Sequence, residues 1–183
     1  MRRPAGADAF RAVSVAERSV AAERRQWIGL AVVAGAAIVA DQLTKHVVAS
    51  QLKLDHAVTL VGPFSIHHVQ NSGIAFGLFS RATAVVIVLT TVAVAWMLLF
   101  FARSGARHPA LPVALGLLIG GSVSNLVDRV RLGYVTDFLD LRYWPAFNLA
   151  DTCIVVGVVL LLGSILLADR SPRRRARAQS ARS

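Results

Sequence analysis

Charged residues are scarce in this chain of 183 residues. Only 16% of them are Asp, Glu, Lys or Arg, whereas 55% are hydrophobic, and this composition excludes an ordinary soluble globular domain. Cysteine is almost absent, and the single Cys153 excludes an internal disulfide and leaves the redox compartment undefined. Because Cys153 lies in an apolar run, we interpret it as a packing residue.

Three long segments contain no Asp, Glu, Lys or Arg, namely 82–102, 109–127 and 152–168. About 18 such residues suffice to cross a bilayer as a helix. A fourth apolar segment, 27–48, is about 33 Å long as a helix but includes Asp41. A cleaved signal peptide is the alternative for this segment, and the long leader without a small-residue cleavage site argues against it. The sequence therefore predicts an all-α integral membrane protein with four transmembrane helices.

The basic residues, which give the chain a net charge of +10, predict its orientation. Most of them lie before the first span, between the second and third, or after the fourth, so the positive-inside rule predicts cytoplasmic termini. Residues 51–81 and 129–147 then face outward. We predict a basic cytoplasmic extension (1–26), a membrane domain (27–168) and a basic cytoplasmic tail (169–183), in which residues 171–183 are expected to be disordered. Lipid headgroups, rather than nucleic acid, are the expected contact of this tail.

The outward segment after the first span predicts β structure. Its run AVTLVGPFSIHHVQ is rich in β-branched residues and is interrupted by Gly62 and Pro63, as expected for a pair of strands. A small outward-facing β element should therefore lie between helices 1 and 2. In the third span, Gly116, Gly120 and Gly121 are interpreted as positions where neighbouring helices approach closely.

Ionisable residues at the outer ends of the spans are the first candidates for function, because charge is costly in a membrane. Asp41 and Lys45 are four residues apart and share one helix face. An ion pair that anchors the helix near the outer interface is favoured here over direct chemistry. Asn125 and Asp128 share a face at the end of the third span, where a polar cap is the simplest interpretation.

Two acids near the fourth span suggest catalysis. Asn148 is a predicted N-cap that places Asp151 at the third helical position, so capping alone can explain Asp151. It cannot explain Asp137, in an extended stretch 14 residues earlier. If the two acids meet, they share a proton, and one can act as a base on water while the other acts as an acid. Asn71 and Gly73 form a turn that either is structural or admits a ligand backbone.

Other hydrolytic sites find little support in the sequence. There is no H-E-x-x-H zinc motif, so no metal is expected. Ser122 and Ser124 lie at the opposite end of their span from His108, and His67 and His68 have no nucleophile elbow beside them. The acid pair is therefore the favoured catalytic group.

Four motifs identify a family resemblance. DQLTK (41–45), NSGIAFG (71–77), GGSVSNLVDRVRLGYVTDF (120–138) and FNLADT (147–152) occur in the order found in bacterial lipoprotein signal peptidases, or signal peptidase II. The chain resembles this family over residues 27–168. The resemblance implies a four-helix intramembrane aspartyl protease of the bacterial cytoplasmic membrane, with its active site at the outer face. Such enzymes use no cofactor and remove signal peptides from prolipoproteins, cutting before a cysteine that carries diacylglycerol.

The resemblance also implies roles for individual residues. The catalytic acids of the family match Asp137 and Asp151, and prolipoprotein signal peptides and membrane lipids become the expected partners. The positions that match residues shaping or supporting the site are Asp41, Lys45, Asn71, Gly73, Asn125, Asp128, Arg129, Asn148 and Ala150. Departures are Thr136 in place of a common Val, Ser124 in place of a frequent Gly, and a short spacing between the acids.

A proton-coupled transporter or channel subunit is the alternative from another class, with Asp41, Lys45 and the acid pair as a relay. The clustering of these groups at the outer edge and the lack of an inverted repeat argue against it. A structural membrane-assembly protein, held together by the glycines of the third span, ranks third. The oligomeric state is not defined by the sequence.

Overall fold

The computed structural model describes residues 5–72, 83–104 and 110–180, with side chains described for 20–72, 83–103 and 110–166. The elements follow one another as α1 (Ala5–Gln51), β1 (Ala57–Val61), β2 (Phe64–Asn71), α2 (Thr83–Ser104), α3 (Leu111–Leu132), β3 (Val135–Leu141), β4 (Trp144–Phe147) and α4 (Leu149–Ser180).

Each helix contains a stretch that is long and apolar enough to cross a membrane. These stretches are Val20–Gln51, Thr83–Arg103, Leu111–Leu132 and Leu149–Leu166, which confirms the four predicted spans. Both α1 and α4 continue beyond the apolar region. The prediction of a disordered tail is wrong as far as Ser180, because α4 continues to that residue through an Arg-rich segment, and Arg is a good helix former.

Helix α3 lies at the centre of the bundle and packs against the other three helices. Its Leu115 is 1% exposed and forms a hydrophobic core with Leu30 of α1 and Phe101 of α2. A methyl group on Gly120 would come within 2.6 Å of the Ala34 carbonyl oxygen of α1, while one on Gly121 would collide with the backbone of α4. The interpretation of the third-span glycines as close-packing positions is therefore confirmed, and α1 and α4 are held against α3 at backbone distance.

The strands form one antiparallel sheet in the order β1-β2-β3-β4. The predicted strand pair between α1 and α2 is confirmed as β1 and β2, but the β element is larger than predicted because β3 and β4, from the α3–α4 connection, complete it. The extended stretch predicted at Asp137 is confirmed as part of β3, but its pairing with β2 was not predicted, because pairing depends on distant segments of the chain. In the β2–β3 register, Val69 is opposite Asp137 and Asn71 is opposite Val135, so this pairing brings Asn71 close to Asp137.

Candidate active site

A buried lysine at the end of the first span organises the polar interior. The Nζ atom of Lys45 lies 2.7 Å from Asp41 Oδ2 and 2.8 Å from Asp128 Oδ2, and it donates a hydrogen bond of 2.8 Å to Asn125 Oδ1. All four side chains are buried, with Asp41 0% and Lys45 4% exposed. Two carboxylates and one amide thus surround the ammonium group and join α1 to α3.

Further donors complete the coordination of the two carboxylates. Asp41 accepts hydrogen bonds from Ser124 Oγ (2.7 Å) and from the backbone N–H of Ala150 (2.8 Å). Gln42 Nε2 donates to Ser124 Oγ (3.0 Å) and to Asp128 Oδ1 (2.7 Å). We call the seven residues Asp41, Gln42, Lys45, Ser124, Asn125, Asp128 and Ala150 the lysine cluster; it connects α1, α3 and the first turn of α4.

The lysine cluster extends one interpretation of the sequence and corrects another. The predicted ion pair between Asp41 and Lys45 is confirmed, and Asp128 of α3 is a second acid on the same lysine. Asp128 is therefore a buried ion-pair partner and not a polar cap. Gln42 and Ser124 are contributors that sequence reasoning missed. Gln42 could have been identified from the sequence, because it lies three residues before Lys45 and therefore on the same helix face.

Two asparagines connect the lysine cluster to the candidate catalytic acids. Asn125 Oδ1 accepts from Lys45 and from Asn148 Nδ2 (3.1 Å), while Asn125 Nδ2 donates to Asp151 Oδ1 (2.8 Å). Asn148 Nδ2 also donates to Asp137 Oδ1 (2.7 Å). One oxygen of Asp151 is thus held by Asn125, which belongs to the lysine cluster. One oxygen of Asp137 is held by Asn148, which contacts Asn125.

The start of α4 fixes Asp151 through a reciprocal cap. The backbone N–H of Asp151 donates to Asn148 Oδ1 (2.9 Å), and the backbone N–H of Asn148 donates to Asp151 Oδ2 (3.2 Å). The predicted N-cap is therefore confirmed, with the geometry of a capping box. Because the cap engages Oδ2 and Asn125 engages Oδ1, both oxygens of Asp151 are positioned.

Asp137 is positioned from the sheet. Asn71 Nδ2 at the end of β2 donates to its Oδ2 (2.9 Å), opposite the contact from Asn148, and only 2% of the residue is exposed. Burial raises the pKa of Asp137 from its ordinary value of 3.8 to about 6, and the nearby charge of Asp151 raises it further, whereas the two amide hydrogen bonds and Lys45 oppose the shift. Asp137 can therefore exchange a proton near neutral pH.

Asp137 and Asp151 line the same cavity, which has a volume of about 310 Å³. The other residues that line this cavity include Asn71, Asn125, Arg129 and all four residues of β4. The structure therefore brings the two acids to one site, as the sequence analysis expected. A second cavity of about 300 Å³ adjoins the first one and shares Asp151 with it, but its walls are mainly apolar side chains of the sheet and α4.

The remaining sequence candidates take different places. Arg129 lines the acid cavity and donates to the Asn125 carbonyl oxygen at 3.4 Å. Gly73 lies outside the described residues. His67 contacts Asp140 at 3.2 Å and His68 contacts the Leu52 carbonyl at 2.9 Å, and neither histidine lines the acid cavity. Within the described parts of the chain, no three His, Cys, Asp or Glu side chains are grouped so that they could hold a metal ion.

This fold and this site define a multispan membrane protein with a paired-acid cavity at one end of its helices. A family profile described as "Signal peptidase (SPase) II" matches residues 33–167. The chain is 41% identical to a lipoprotein signal peptidase of Symbiobacterium thermophilum, over 76% of this chain and 95% of that protein. Identity to a lipoprotein signal peptidase of Pelotomaculum thermopropionicum is 37%, over 79% and 97% of the two chains.

Solved structures agree with this relationship. A structure described as a bacterial membrane enzyme, obtained by the in meso method at 2.3 Å resolution, superposes with a TM-score of 0.71 and 28% identity, covering 77% of this chain and 88% of the other. A second structure of that description, at 1.9 Å resolution, gives a TM-score of 0.68. The chain belongs to the signal peptidase II family and is a membrane-embedded bacterial protease.

The lysine cluster generates a prediction about stability. Replacement of the buried lysine by an apolar side chain of similar length, Lys45→Met, leaves the carboxylates of Asp41 and Asp128 buried without their cation. We expect a loss of about 3–5 kcal/mol in the free energy of unfolding, the usual cost of removing one partner of a buried ion pair. Unfolding in detergent measures it, with Lys53→Met, at an exposed position after α1, as the matched control. Equal stability of the two variants would contradict the assigned role of Lys45.

Proposed function

We propose that this protease is an aspartyl endopeptidase in which Asp137 and Asp151 share one proton and activate water. The observation that carries the proposal is the position of both carboxylates on one cavity, each held by amide side chains. Two acids in close proximity cannot both ionise easily, so a shared proton is the expected resting state. The pKa of about 6 for Asp137 suits a group that gives and takes protons at neutral pH.

The proposed reaction needs no other catalytic group. The ionised carboxylate removes a proton from water as the water oxygen attacks the scissile carbonyl carbon, and the protonated carboxyl transfers its proton to the carbonyl oxygen. In the resulting diol, the newly protonated acid gives its proton to the amide nitrogen while the other acid removes one from a hydroxyl group. The C–N bond then breaks, and the pair again carries one proton.

The proposed substrates are prolipoproteins whose cysteine carries diacylglycerol, and the cut falls before that cysteine. The relatives described above are named lipoprotein signal peptidases, which supports this substrate class. The apolar cavity beside Asp151 supports the lipid requirement, because Trp144, Phe147 and Val155 offer apolar walls next to the acids. Burial of acyl chains there contributes about 0.8 kcal/mol per methylene, so the lipid would carry much of the binding energy.

The proposed orientation in the bacterial cytoplasmic membrane places both termini in the cytoplasm and the acids at the outer face. It rests on the excess of Arg before α1, between α2 and α3, and after the apolar part of α4. A topology reporter fused at residue 140, within β3, should report the outer compartment. A cytoplasmic signal from this fusion would contradict the orientation and the outward site together.

A transporter is disfavoured by the distribution of ionisable groups. Residues 27–40 of the first span contain no Asp, Glu, Lys, Arg or His, which leaves about 21 Å of that helix without a proton carrier. The corresponding parts of the other spans, 83–102, 111–127 and 154–166, also have none of these residues. A proton relay across the membrane would therefore have no ionisable side chains over these stretches of the four spans. Hydrolysis by an acid pair needs ionisable groups only at the end of the bundle where the acids lie.

The acid pair is tested by amide substitution. Asp137→Asn and Asp151→Asn keep the size of each side chain but remove the proton exchange, so each should lower kcat by about 10³-fold or more, with little further loss in the double variant. Asp140→Asn is the matched control, because Asp140 lies on the same strand but pairs with His67 outside the cavity. The measurement is cleavage of a lipidated precursor peptide by the purified proteins.

Folding must be checked in the same samples. Asn148 remains the N-cap of α4 in Asp151→Asn, but the new amide offers one acceptor oxygen where Asp151 offers two, so we expect a folded protein with a modestly lower unfolding temperature. Substantial cleavage by either well-folded single variant would remove the acid pair from the mechanism.

A further inference from the structure

A further cavity, of about 180 Å³, lies between α1, the end of α3 and β3, and we call it the rear cavity. Val135 and Asp137 of β3 line the acid cavity, whereas Thr136 between them lines the rear cavity. Successive side chains of a strand point to opposite faces, so the two cavities lie on opposite sides of β3. Among the described residues, none lines both cavities, and the proposed hydrolysis makes no use of the rear cavity.

The inner wall of the rear cavity is already hydrogen-bonded. Lys45 and Asp128 both line it. Lys45 has three N–H groups and three acceptors, in Asp41, Asp128 and Asn125. Asp128 accepts from Gln42 at Oδ1 and is paired with Lys45 at Oδ2. Because no other acid among the described residues lines the rear cavity, it offers no free carboxylate to a cation.

Three other lining residues have donors that are not used. The hydroxyl group of Thr136, the guanidinium group of Arg131 and the ring of His46 have no hydrogen-bond or ion-pair partner among the described residues. Thr136 is only 5% exposed, and a buried hydroxyl group normally has a partner. Arg131 and His46 are exposed at the rim, and Arg131 keeps its charge at any physiological pH. The unused groups of these residues therefore favour an anion.

The surroundings of the rear cavity are apolar. Leu43 and Val47 on α1 and Leu132 on α3 are exposed apolar residues adjacent in sequence to residues that line the cavity. The cavity also lies near the ends of two candidate membrane spans, which end at Gln51 and Leu132. Lipid headgroups lie at this level of a bilayer, and the acyl chains extend from it along the apolar helix surfaces. A polar cavity with apolar neighbours in this position suits an amphiphilic anion.

We propose that the rear cavity binds the phosphate group of a membrane phospholipid, with Arg131 and the hydroxyl group of Thr136 as its main donors. A phosphodiester is an anion that only accepts hydrogen bonds, and a guanidinium group can bind two of its oxygens at once. The cavity has several times the roughly 30 Å³ that one water molecule occupies, so a phosphate group has room. Free phosphate has the same chemistry, but the exposed apolar neighbours favour a lipid. The inference is independent of the acid mechanism.

Lipid binding by the full chain in detergent tests the site, with native mass spectrometry to count bound molecules. The probes are phosphatidylglycerol and a diacylglycerol with the same acyl chains but no phosphate. Arg131→Gln should weaken one phosphatidylglycerol site about tenfold, because a charge-assisted contact is lost, and Thr136→Val should weaken it about fivefold. Neither variant should change the binding of diacylglycerol.

Arg142→Gln is the matched control. It removes one positive charge from an exposed arginine between β3 and β4 that does not line the rear cavity, so phosphatidylglycerol should bind to it as to the unchanged protein. The unfolding temperature of each sample checks folding. Arg131 is exposed, so Arg131→Gln keeps the test decisive even if Thr136→Val does not fold.

Inorganic phosphate in large molar excess identifies the source of the phosphate group. Phosphatidylglycerol that stays bound in this excess, with the losses expected for the variants, supports a lipid site. Displacement by inorganic phosphate overturns the lipid as the ligand and leaves a site for free phosphate. Equal affinity of the unchanged protein and Arg131→Gln for phosphatidylglycerol, or an equal loss in Arg142→Gln, overturns the site itself.

Discussion

The burial of one ammonium group within a membrane protein is the constraint from which the site follows. An isolated charge in the bilayer is costly, so Lys45 must be neutralised where it lies. The opposite charges come from Asp41 on the same helix and Asp128 on α3, and Asn125 of α3 accepts a further hydrogen bond. Because Asp41 also accepts the backbone N–H of Ala150, the start of α4 is fixed to the same centre. One buried charge thereby sets the relative positions of three helices.

The positions of the candidate catalytic acids depend on the lysine cluster through shared amides. Asn125 contacts Lys45 with its oxygen and Asp151 with its nitrogen, so the orientation of its amide is determined by a cation on one side and an acid on the other. Asn148 donates hydrogen bonds to both Asn125 and Asp137, and it also caps α4. A cluster that stabilises the bundle is therefore in direct contact with groups that position the candidate chemistry. Changes to Lys45 are expected to affect both stability and the acid pair.

Local patterns allowed much of this to be predicted from the sequence. Long uncharged runs defined the spans, and the spacing of Asn148 and Asp151 defined a cap, since both depend on neighbouring residues only. The pairing of β3 with β2, the strand β4 and the partners of Gln42 could not be obtained in this way. They depend on which distant segments meet, and the alternation of polar and apolar residues in β3 is broken by the very acid that faces the cavity. The family motifs indicated which residues belong to the site, but not how Asp128 and Lys45 pair.

The central claim is that a membrane-embedded acid pair hydrolyses the peptide bond before a lipidated cysteine. The most direct measurement is mass spectrometry of the products formed by the purified protein from two precursor peptides that differ only in the diacylglyceryl group on the cysteine. The account predicts a single cut before the cysteine in the lipidated peptide and a much lower kcat/KM for the unlipidated one, because the acyl chains contribute to binding. Equal cleavage of the two peptides, or a cut at another bond, would contradict it.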